Sequence, residues 1–176
     1  MKDILKPILV LGCICLVVSG MLAFVNELTQ PVIIKAEEEA AAAARNEVLK
    51  EAKTFEKAEL VELPQGILDI YIGDHHSGYA ILTSAKGYGG EIRMICGISP
   101  DGTVEGVKIL SHSETSGVGT KAADNNSPYP GQFVGKDKNN LEQVDTVTGA
   151  TISSKAVKAG IALALQGYEL AKEAQA

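Results

Sequence analysis

The sequence predicts an α+β protein, in which an N-terminal transmembrane helix and a stalk helix precede an antiparallel sheet with packed helices. Three observations predict this architecture: an uncharged apolar run over residues 8–25, short alternating runs between residues 67 and 110, and an amphipathic segment over residues 153–172. Hydrophobic residues make up 45% of the 176 residues, which is enough to bury a core. The formal net charge of −6 and the aromatic content of 5% both disfavour nucleic-acid binding.

The first element is the apolar run of residues 8–25, ILVLGCICLVVSGMLAFV, which contains no charged side chain. As a helix it is about 27 Å long, which is close to the hydrocarbon thickness of a bilayer. Lys2 and Lys6 precede the run, and Glu27 follows it. Because basic residues favour the cytoplasmic side, we expect residues 1–7 to form a cytoplasmic tip and the rest of the chain to lie outside the cell (inner) membrane.

A cleaved signal peptide and a lipoprotein are the two alternatives to this single-pass anchor. The apolar run is long for a signal peptide, and no A-x-A cleavage site closes it. Residues 10–13 (VLGC) resemble a lipoprotein cleavage box, but only a few apolar residues precede them. Within the anchor, Cys13 and Cys15 point to different helix faces, so we expect them to pack against partner helices rather than to share a metal.

A helical stalk is expected next, over residues 26–58. Its segment from residue 31 onward is dominated by Ala, Glu and Lys, and Pro31 suits the start of a helix. The apolar face of this segment is weak, which favours a solvated spacer. The spacer would lift an extracytoplasmic domain, residues 59–176, off the membrane.

Strands are predicted where apolar and polar residues alternate over short runs. The segment 74–78 (DHHSG) is typical of a turn, so His75 and His76 are expected to be exposed turn residues, and no metal site is predicted. Asp-Gly at 101–102 indicates a hairpin. Cys96 lies on an inward strand face and is the single cysteine outside the anchor, so an intradomain disulfide is excluded. The predicted strands cover residues 67–72, 78–83, 91–98 and 104–110.

Residues 111–140 form a long polar connection, and a loop of this length in a compact domain is usually functional. Within it, residues 114–120 (ETSGVGT) combine hydroxyl groups with two glycines. Glycine permits a ligand to approach the backbone closely. A second glycine-rich turn, residues 87–90 (GYGG), stands before a predicted strand, and a plain turn or bulge without a ligand is the alternative there.

The last predicted element is a helix over residues 153–172, which follows the hydroxyl-rich segment 145–151 (DTVTGAT). The free N–H groups and the positive end of a helix N-terminus attract an anion such as phosphate, and Lys155 adds a cation one turn further on. Ordinary capping of the helix by Thr and Ser side chains, of which Ser153 or Ser154 can serve as the cap, is the alternative interpretation.

The segments 113–119 (SETSGVG) and 145–151 (DTVTGAT) together resemble two motifs of the FMN-binding domain family. The first is similar to the family's E-T-P-G-x-G loop, except that Ser116 stands where proline is common. The second is similar to the family's covalent flavinylation motif, D-x-x-[ST]-G-A-T. The GYGG turn and the Asp-Gly hairpin also stand where the family places them, so the resemblance covers roughly residues 60–172.

With one membrane anchor and one such domain, the chain most resembles the G subunits of Rnf ion-translocating oxidoreductase complexes. The resemblance implies an FMN-binding domain whose FMN is attached covalently to Thr151 through a phosphoester. A flavin transferase would install the group from FAD, and it would recognise the motif to which Asp145 belongs. Flavin-binding residues are then expected at Thr148, Gly149, Ala150, Glu114, Thr115, Gly117, Val118, Gly119 and Lys155.

The implied role is that of an electron relay with no catalytic site of its own. Its partners would be the other membrane and peripheral subunits of a complex that couples ferredoxin:NAD electron transfer to ion transport. Glu114 would either tune the flavin or brace the loop. The alternatives are the corresponding C subunit of a sodium-translocating NADH:quinone reductase, a membrane-anchored flavin-binding regulator, and a structural assembly subunit.

Overall fold

The computed structural model of the protein describes residues 2–58 and 63–174. These residues divide into two compact units, of which the first ends at Glu39 and the second begins at Ala40. The second unit therefore begins well before residue 59, where the sequence placed the start of the domain. The α+β class predicted from the sequence is confirmed.

Helix α1 runs without interruption from Lys2 to Val48 and contains both Pro7 and Pro31. The prediction that Pro31 begins a second helix is therefore wrong. Glu27 and Leu28 precede this proline and a segment rich in Ala and Glu begins at Lys35, so helix formers lie a few residues away on both sides, and the helix continues although one backbone hydrogen bond is lost. Within the described residues, the segment from Lys6 onward supplies one helix that is long and apolar enough to cross a membrane. Its apolar side chains are exposed within the chain, and Leu16 is 76% exposed.

The end of α1 packs on the sheet, so the predicted solvated stalk over 26–58 is also wrong in its last part. Ala44 and Val48 are buried, and the helix ends at Val48. The close approach depends on Gly97 and Gly106, which are paired across two neighbouring strands. A Cβ at Gly97 would lie 2.2 Å from the carbonyl oxygen of Val48, and one at Gly106 would lie 3.0 Å from its Cα.

The described residues after α1 form one antiparallel sheet of five strands, with the strands in chain order. The first strand was not predicted from the sequence, because three residues are too few to show an alternating pattern. The Asp-Gly hairpin is confirmed, since the Ser99 N–H donates to the carbonyl oxygen of Thr103 across the turn at 2.9 Å. The strands are β1 (Phe55–Lys57), β2 (Ile67–Gly73), β3 (Tyr79–Lys86), β4 (Glu91–Ile98) and β5 (Val104–Ser111).

The main core lies between the sheet and the C-terminal helix α3, which spans Thr151–Ala174. Val157 and Ile161 on this helix are completely buried, as is Met94 on β4. Cys96 belongs to the same cluster, which confirms its inward orientation. The opposite face of the sheet carries a smaller cluster of Ala44, Val48, Ala80, Leu82 and Ile95.

The connection between β5 and α3 contains the short helix α2 (Thr120–Ala123) and two 3₁₀ turns. It is anchored by two buried aromatic side chains, Tyr129 and Phe133, whose rings meet edge to face at 5.2 Å. The Tyr129 hydroxyl donates to the carbonyl oxygen of Ser154 on α3 at 3.3 Å. The connection is therefore held against the core along part of its length.

Candidate functional site

A cleft of about 500 Å³ opens where three segments of the second unit meet. These segments are the β3–β4 turn, the loop after β5, and the first turn of α3. Most of the site residues predicted from the sequence line this cleft, although they come from distant parts of the chain. The lining residues are Tyr88, Glu114, Thr115, Val118, Gly119, Gly149, Ala150, Thr151, Ile152 and Ser153.

The β3–β4 turn, residues 87–90, is pressed against the loop that follows β5. The Gly89 N–H donates to Oε1 of Glu114 at 3.0 Å. A Cβ at Gly89 would lie 2.1 Å from the carbonyl oxygen of Ser113, and one at Gly87 would lie 2.2 Å from the Glu114 carboxylate. The turn therefore accepts no side chain at these two positions, and it holds Tyr88 at the cleft with 73% of that residue exposed.

The loop after β5 is shaped by the carbonyl oxygen of Thr115, which accepts hydrogen bonds from the N–H groups of Val118 and Gly119 at 3.2 and 2.9 Å. The Gly117 N–H donates to the Thr120 hydroxyl at 2.9 Å. Gly117 has a φ of +74°, a left-handed conformation that favours glycine. This compact turn places Thr115, Val118 and Gly119 on the cleft wall.

Glu114 connects all three segments of the site. Its side chain is buried, with 7% of the residue exposed. One carboxylate oxygen accepts the Gly89 N–H and the other accepts the Ser153 hydroxyl at 2.5 Å. A Cβ at Gly119 would lie 2.4 Å from the second oxygen, so the loop closes tightly over the carboxylate. Of the two roles expected for Glu114, this geometry supports bracing.

The first turn of α3 carries the central residue of the predicted site. Thr151 is the first residue of the helix, which begins before the predicted start at residue 153. The Ser154 N–H donates to the Ala150 carbonyl oxygen at 2.8 Å, so the N–H groups of Thr151, Ile152 and Ser153 precede the i to i−4 hydrogen bonds of the helix. Thr151 is exposed, and its position combines a hydroxyl group with the positive end of α3.

The predicted capping of α3 by Ser153 or Ser154 is wrong. Both serines lie inside the helix and are buried. Ser153 donates to Glu114, whereas the Ser154 hydroxyl accepts the N–H of Val147 at 3.0 Å. The two hydroxyls thus tie the start of α3 to the segments that precede it.

Four predicted site residues, Thr148, Gly117, Lys155 and Asp145, lie outside the cleft lining, although each is exposed.

Asp145 acts electrostatically on the hydroxyl of Tyr129. Burial raises the pKa of the Tyr129 hydroxyl, its hydrogen bond to Ser154 lowers that pKa, and the charge of Asp145 raises it. That hydroxyl therefore stays protonated at neutral pH.

Three cleft residues were not predicted from the sequence, namely Tyr88, Ile152 and Ser153 as a lining residue. The GYGG pattern pointed to the turn that carries Tyr88 but not to the position of its ring.

Among the described residues, no group of three or more His, Cys, Asp or Glu side chains could hold a metal ion. His75 is exposed in the β2–β3 turn, as expected.

Two family models match the chain. The FMN-binding domain model matches residues 87–166, a range that includes every residue lining the cleft. The RnfG N-terminal region model matches residues 1–48, which correspond to α1 and the residue before it.

Curated relatives match over most of the chain, and each is the G subunit of an ion-translocating complex. The one from the Na(+)-translocating ferredoxin:NAD(+) oxidoreductase complex of Acetobacterium woodii is 31% identical, over 93% of this chain and 93% of the relative. The one from the proton-translocating ferredoxin:NAD(+) oxidoreductase complex of Clostridium ljungdahlii is also 31% identical, over 86% and 84%. The one from the ion-translocating oxidoreductase complex of Methanosarcina acetivorans is 32% identical, over 89% of both chains.

Proposed function

The chain belongs to the RnfG family, the G subunits of Rnf-type ion-translocating oxidoreductases, and we propose that it is the FMN-carrying, membrane-anchored electron-relay subunit of such a complex. Membership of this family, together with the FMN-binding domain, supports the role of a flavoprotein subunit in an ion-translocating ferredoxin:NAD oxidoreductase complex. Other subunits of that complex are therefore its partners. We infer the position of the flavin and its attachment from the residues that line the cleft.

The residues of the cleft suit FMN. A volume of about 500 Å³ lies within the range of small-molecule and cofactor sites. The exposed side chains of Tyr88, Val118 and Ile152 offer apolar surface to the flavin ring. The N–H groups at the start of α3 favour the phosphate, and Lys155 stands one helical turn beyond Thr151 to add a positive charge. When bound, FMN supplies one-electron and two-electron redox chemistry.

We propose that Thr151 holds FMN covalently. Its hydroxyl oxygen forms a bond to the flavin-side phosphorus of FAD, while the pyrophosphate bond to AMP breaks. AMP leaves, the hydroxyl proton passes to solvent, and no redox change accompanies the transfer. A flavin transferase would perform this step on the segment 145–151, in which Asp145 and Thr148 are exposed for recognition.

In this proposal the chain holds and orients a redox group rather than catalysing a reaction by itself. Lys2 and Lys6 precede the apolar part of α1 and Glu27 follows it, which favours a cytoplasmic N-terminus and an extracytoplasmic flavin domain. The flavin would then relay electrons on the outer side of the membrane. It would exchange them with neighbouring subunits of the complex.

The observation that carries this proposal is the placement of Thr151. Its hydroxyl stands exposed on the wall of the cleft, at the N-terminal end of α3, inside the segment that matches the FMN-binding domain. An Ala or Val side chain at this position would offer no oxygen to phosphorylate.

The test is expression of the full chain together with a flavin transferase, followed by a denaturing gel viewed under ultraviolet light. We expect a fluorescent band that disappears in Thr151→Val. Thr115→Val is the matched control, because it removes another exposed hydroxyl of the same cleft that lies outside the segment 145–151, and it should keep the band.

Mass spectrometry locates the attachment. The tryptic peptide 139–155 should gain the mass of FMN less one water, and fragmentation should assign it to Thr151. A dark wild-type band, in cells where the transferase modifies another substrate, would overturn the covalent proposal. A band that survives Thr151→Val would move the attachment to another residue.

A further inference from the structure

Exposed apolar side chains of the second unit are concentrated at the cleft in which we propose that FMN binds. Among the described residues from Ala40 onward, large hydrophobic side chains are exposed at five positions, and three of these line the cleft. Single exposed apolar residues are normal on a protein surface, but a cluster of them marks a binding site. The three residues are Tyr88, Val118 and Ile152, with exposed fractions of 73%, 49% and 54%.

Tyr88 differs from the other aromatic residues of this unit. Tyr129 and Phe133 pack against each other inside the core, and so do Tyr79 and Tyr168, whose ring centroids are 5.2 Å apart. Of the described aromatic residues in the second unit, Tyr88 is the one that is exposed. Its ring therefore remains available to a ligand in the cleft.

The backbone that carries Tyr88 is held firmly, although its ring is exposed. Strands β3 and β4 pair up to Lys86 and Glu91, and the Gly87 N–H donates to the Gly90 carbonyl oxygen at 2.8 Å. Gly89 is tied to the buried Glu114 carboxylate. A ring presented from an ordered turn costs little further conformational entropy when a ligand packs on it.

We propose that Tyr88 stacks on the isoalloxazine ring of FMN and that Val118 and Ile152 complete an apolar clamp around it. The proposal rests on the proposed function, because it needs FMN in this cleft. The isoalloxazine is a planar aromatic group, and such groups gain from offset or edge contacts with a tyrosine ring. Ile152 follows the attachment residue Thr151 directly, so the tether keeps the ring near the clamp at high effective concentration.

The contact has a spectroscopic signature that does not depend on the activity of the complex. A phenol in contact with an excited flavin transfers an electron to it and quenches its fluorescence, whereas a phenyl or alkyl side chain does not. Tyr88→Phe therefore removes the electron donor and keeps the ring, and Tyr88→Leu removes both. Tyr71→Phe is the matched control, because Tyr71 lies on the other side of the sheet, away from the cleft. There the guanidinium of Arg45 lies 4.1 Å from the centre of the Tyr71 ring.

The experiment compares flavin emission of the native full-length chain with that of the same sample after denaturation. We expect a severalfold rise in native emission for Tyr88→Phe and Tyr88→Leu and no change for Tyr71→Phe. Iodide should reach the flavin more readily in Tyr88→Leu but not in Tyr88→Phe, because the phenyl ring still covers the flavin face. Emission after denaturation should be equal in all variants.

Unchanged native emission and unchanged iodide quenching in both Tyr88 variants would overturn the clamp. The gel band under ultraviolet light separates this outcome from failure of the covalent attachment, because the band reports only whether FMN is bound through Thr151. If the wild-type band is dark, the same emission measurements are made with free FMN added. Quenching of added FMN that requires Tyr88 would support the clamp, and its absence would refute it.

Discussion

Replacement of Ser153 by alanine tests whether Glu114 braces the cleft. Ser153 is 2% exposed and donates a hydrogen bond of 2.5 Å to the Glu114 carboxylate, which is itself buried. A hydrogen bond to a charged group contributes about 1.5–3 kcal/mol, and its loss leaves one carboxylate oxygen without this donor. The Gly89 N–H still serves the other oxygen.

One opposing effect reduces the expected loss. Alanine has a higher helix propensity than serine, so the substitution stabilises a helix such as α3 by roughly 0.5 kcal/mol. We therefore expect Ser153→Ala to lower the free energy of unfolding of the second unit by about 1–2.5 kcal/mol. With a urea dependence of about 2 kcal/mol per M, the unfolding midpoint should fall by about 0.5–1.2 M.

The assay is urea unfolding of the full-length chain in detergent, followed by the near-ultraviolet circular dichroism of its tyrosines. Ser84→Ala is the matched control, because the Ser84 hydroxyl also donates to a glutamate, Glu91, at 2.9 Å, but at an exposed site. Solvent replaces such a bond, so we expect a change within about 0.5 kcal/mol. If Ser153→Ala costs no more than Ser84→Ala, the argument that burial makes the Glu114 brace strong is refuted.

Two further predictions concern the turn beside the cleft and the buried thiol. Gly89→Ala should destabilise the second unit by about 1–3 kcal/mol, because its Cβ would lie 2.1 Å from the Ser113 carbonyl oxygen. Gly131→Ala is the control, because the added Cβ would meet no atom within 4 Å beyond its chain neighbours. Its free energy of unfolding should change by no more than about 0.5 kcal/mol in the same urea assay. Equal effects of the two substitutions would contradict this reasoning. Burial raises the pKa of Cys96 to about 12, so its thiol stays protonated at pH 8 and a maleimide reagent should label it only after denaturation. Rapid labelling of the native chain in a variant that lacks the other two cysteines would show that this site opens.

The strands were predictable because their signal is local. Side chains alternate between the two faces of a strand, so a half-buried strand repeats its pattern every second residue. The strand predicted at 91–98 coincides with β4, and the other three predicted strands differ from the structure by a few residues at most. Strand β1 was missed because its three residues are defined by their pairing with β2 rather than by their own composition.

Helix boundaries were less predictable, because tertiary contacts decide them. The end of α1 is one example, because the helix ends at Val48, which is buried against the sheet. Helix α3 starts at Thr151, and the hydroxyls of Ser153 and Ser154 form hydrogen bonds with Glu114 and Val147 instead of capping the helix. Neither partner is visible from the sequence near these serines.

The sequence by itself determined the apolar helix, the antiparallel order of the main strands and the two motifs that resemble an FMN-binding domain. Only the tertiary structure decided that these motifs share a cleft, that Glu114 braces it, and that Tyr88 faces it. The physical reason is the range of the interactions. Hydropathy and turn preferences act between near neighbours, whereas the contacts that build the cleft join residues 25 and 39 positions apart, from Gly89 to Glu114 and from Glu114 to Ser153. Such contacts exist only once the sheet and α3 have packed together.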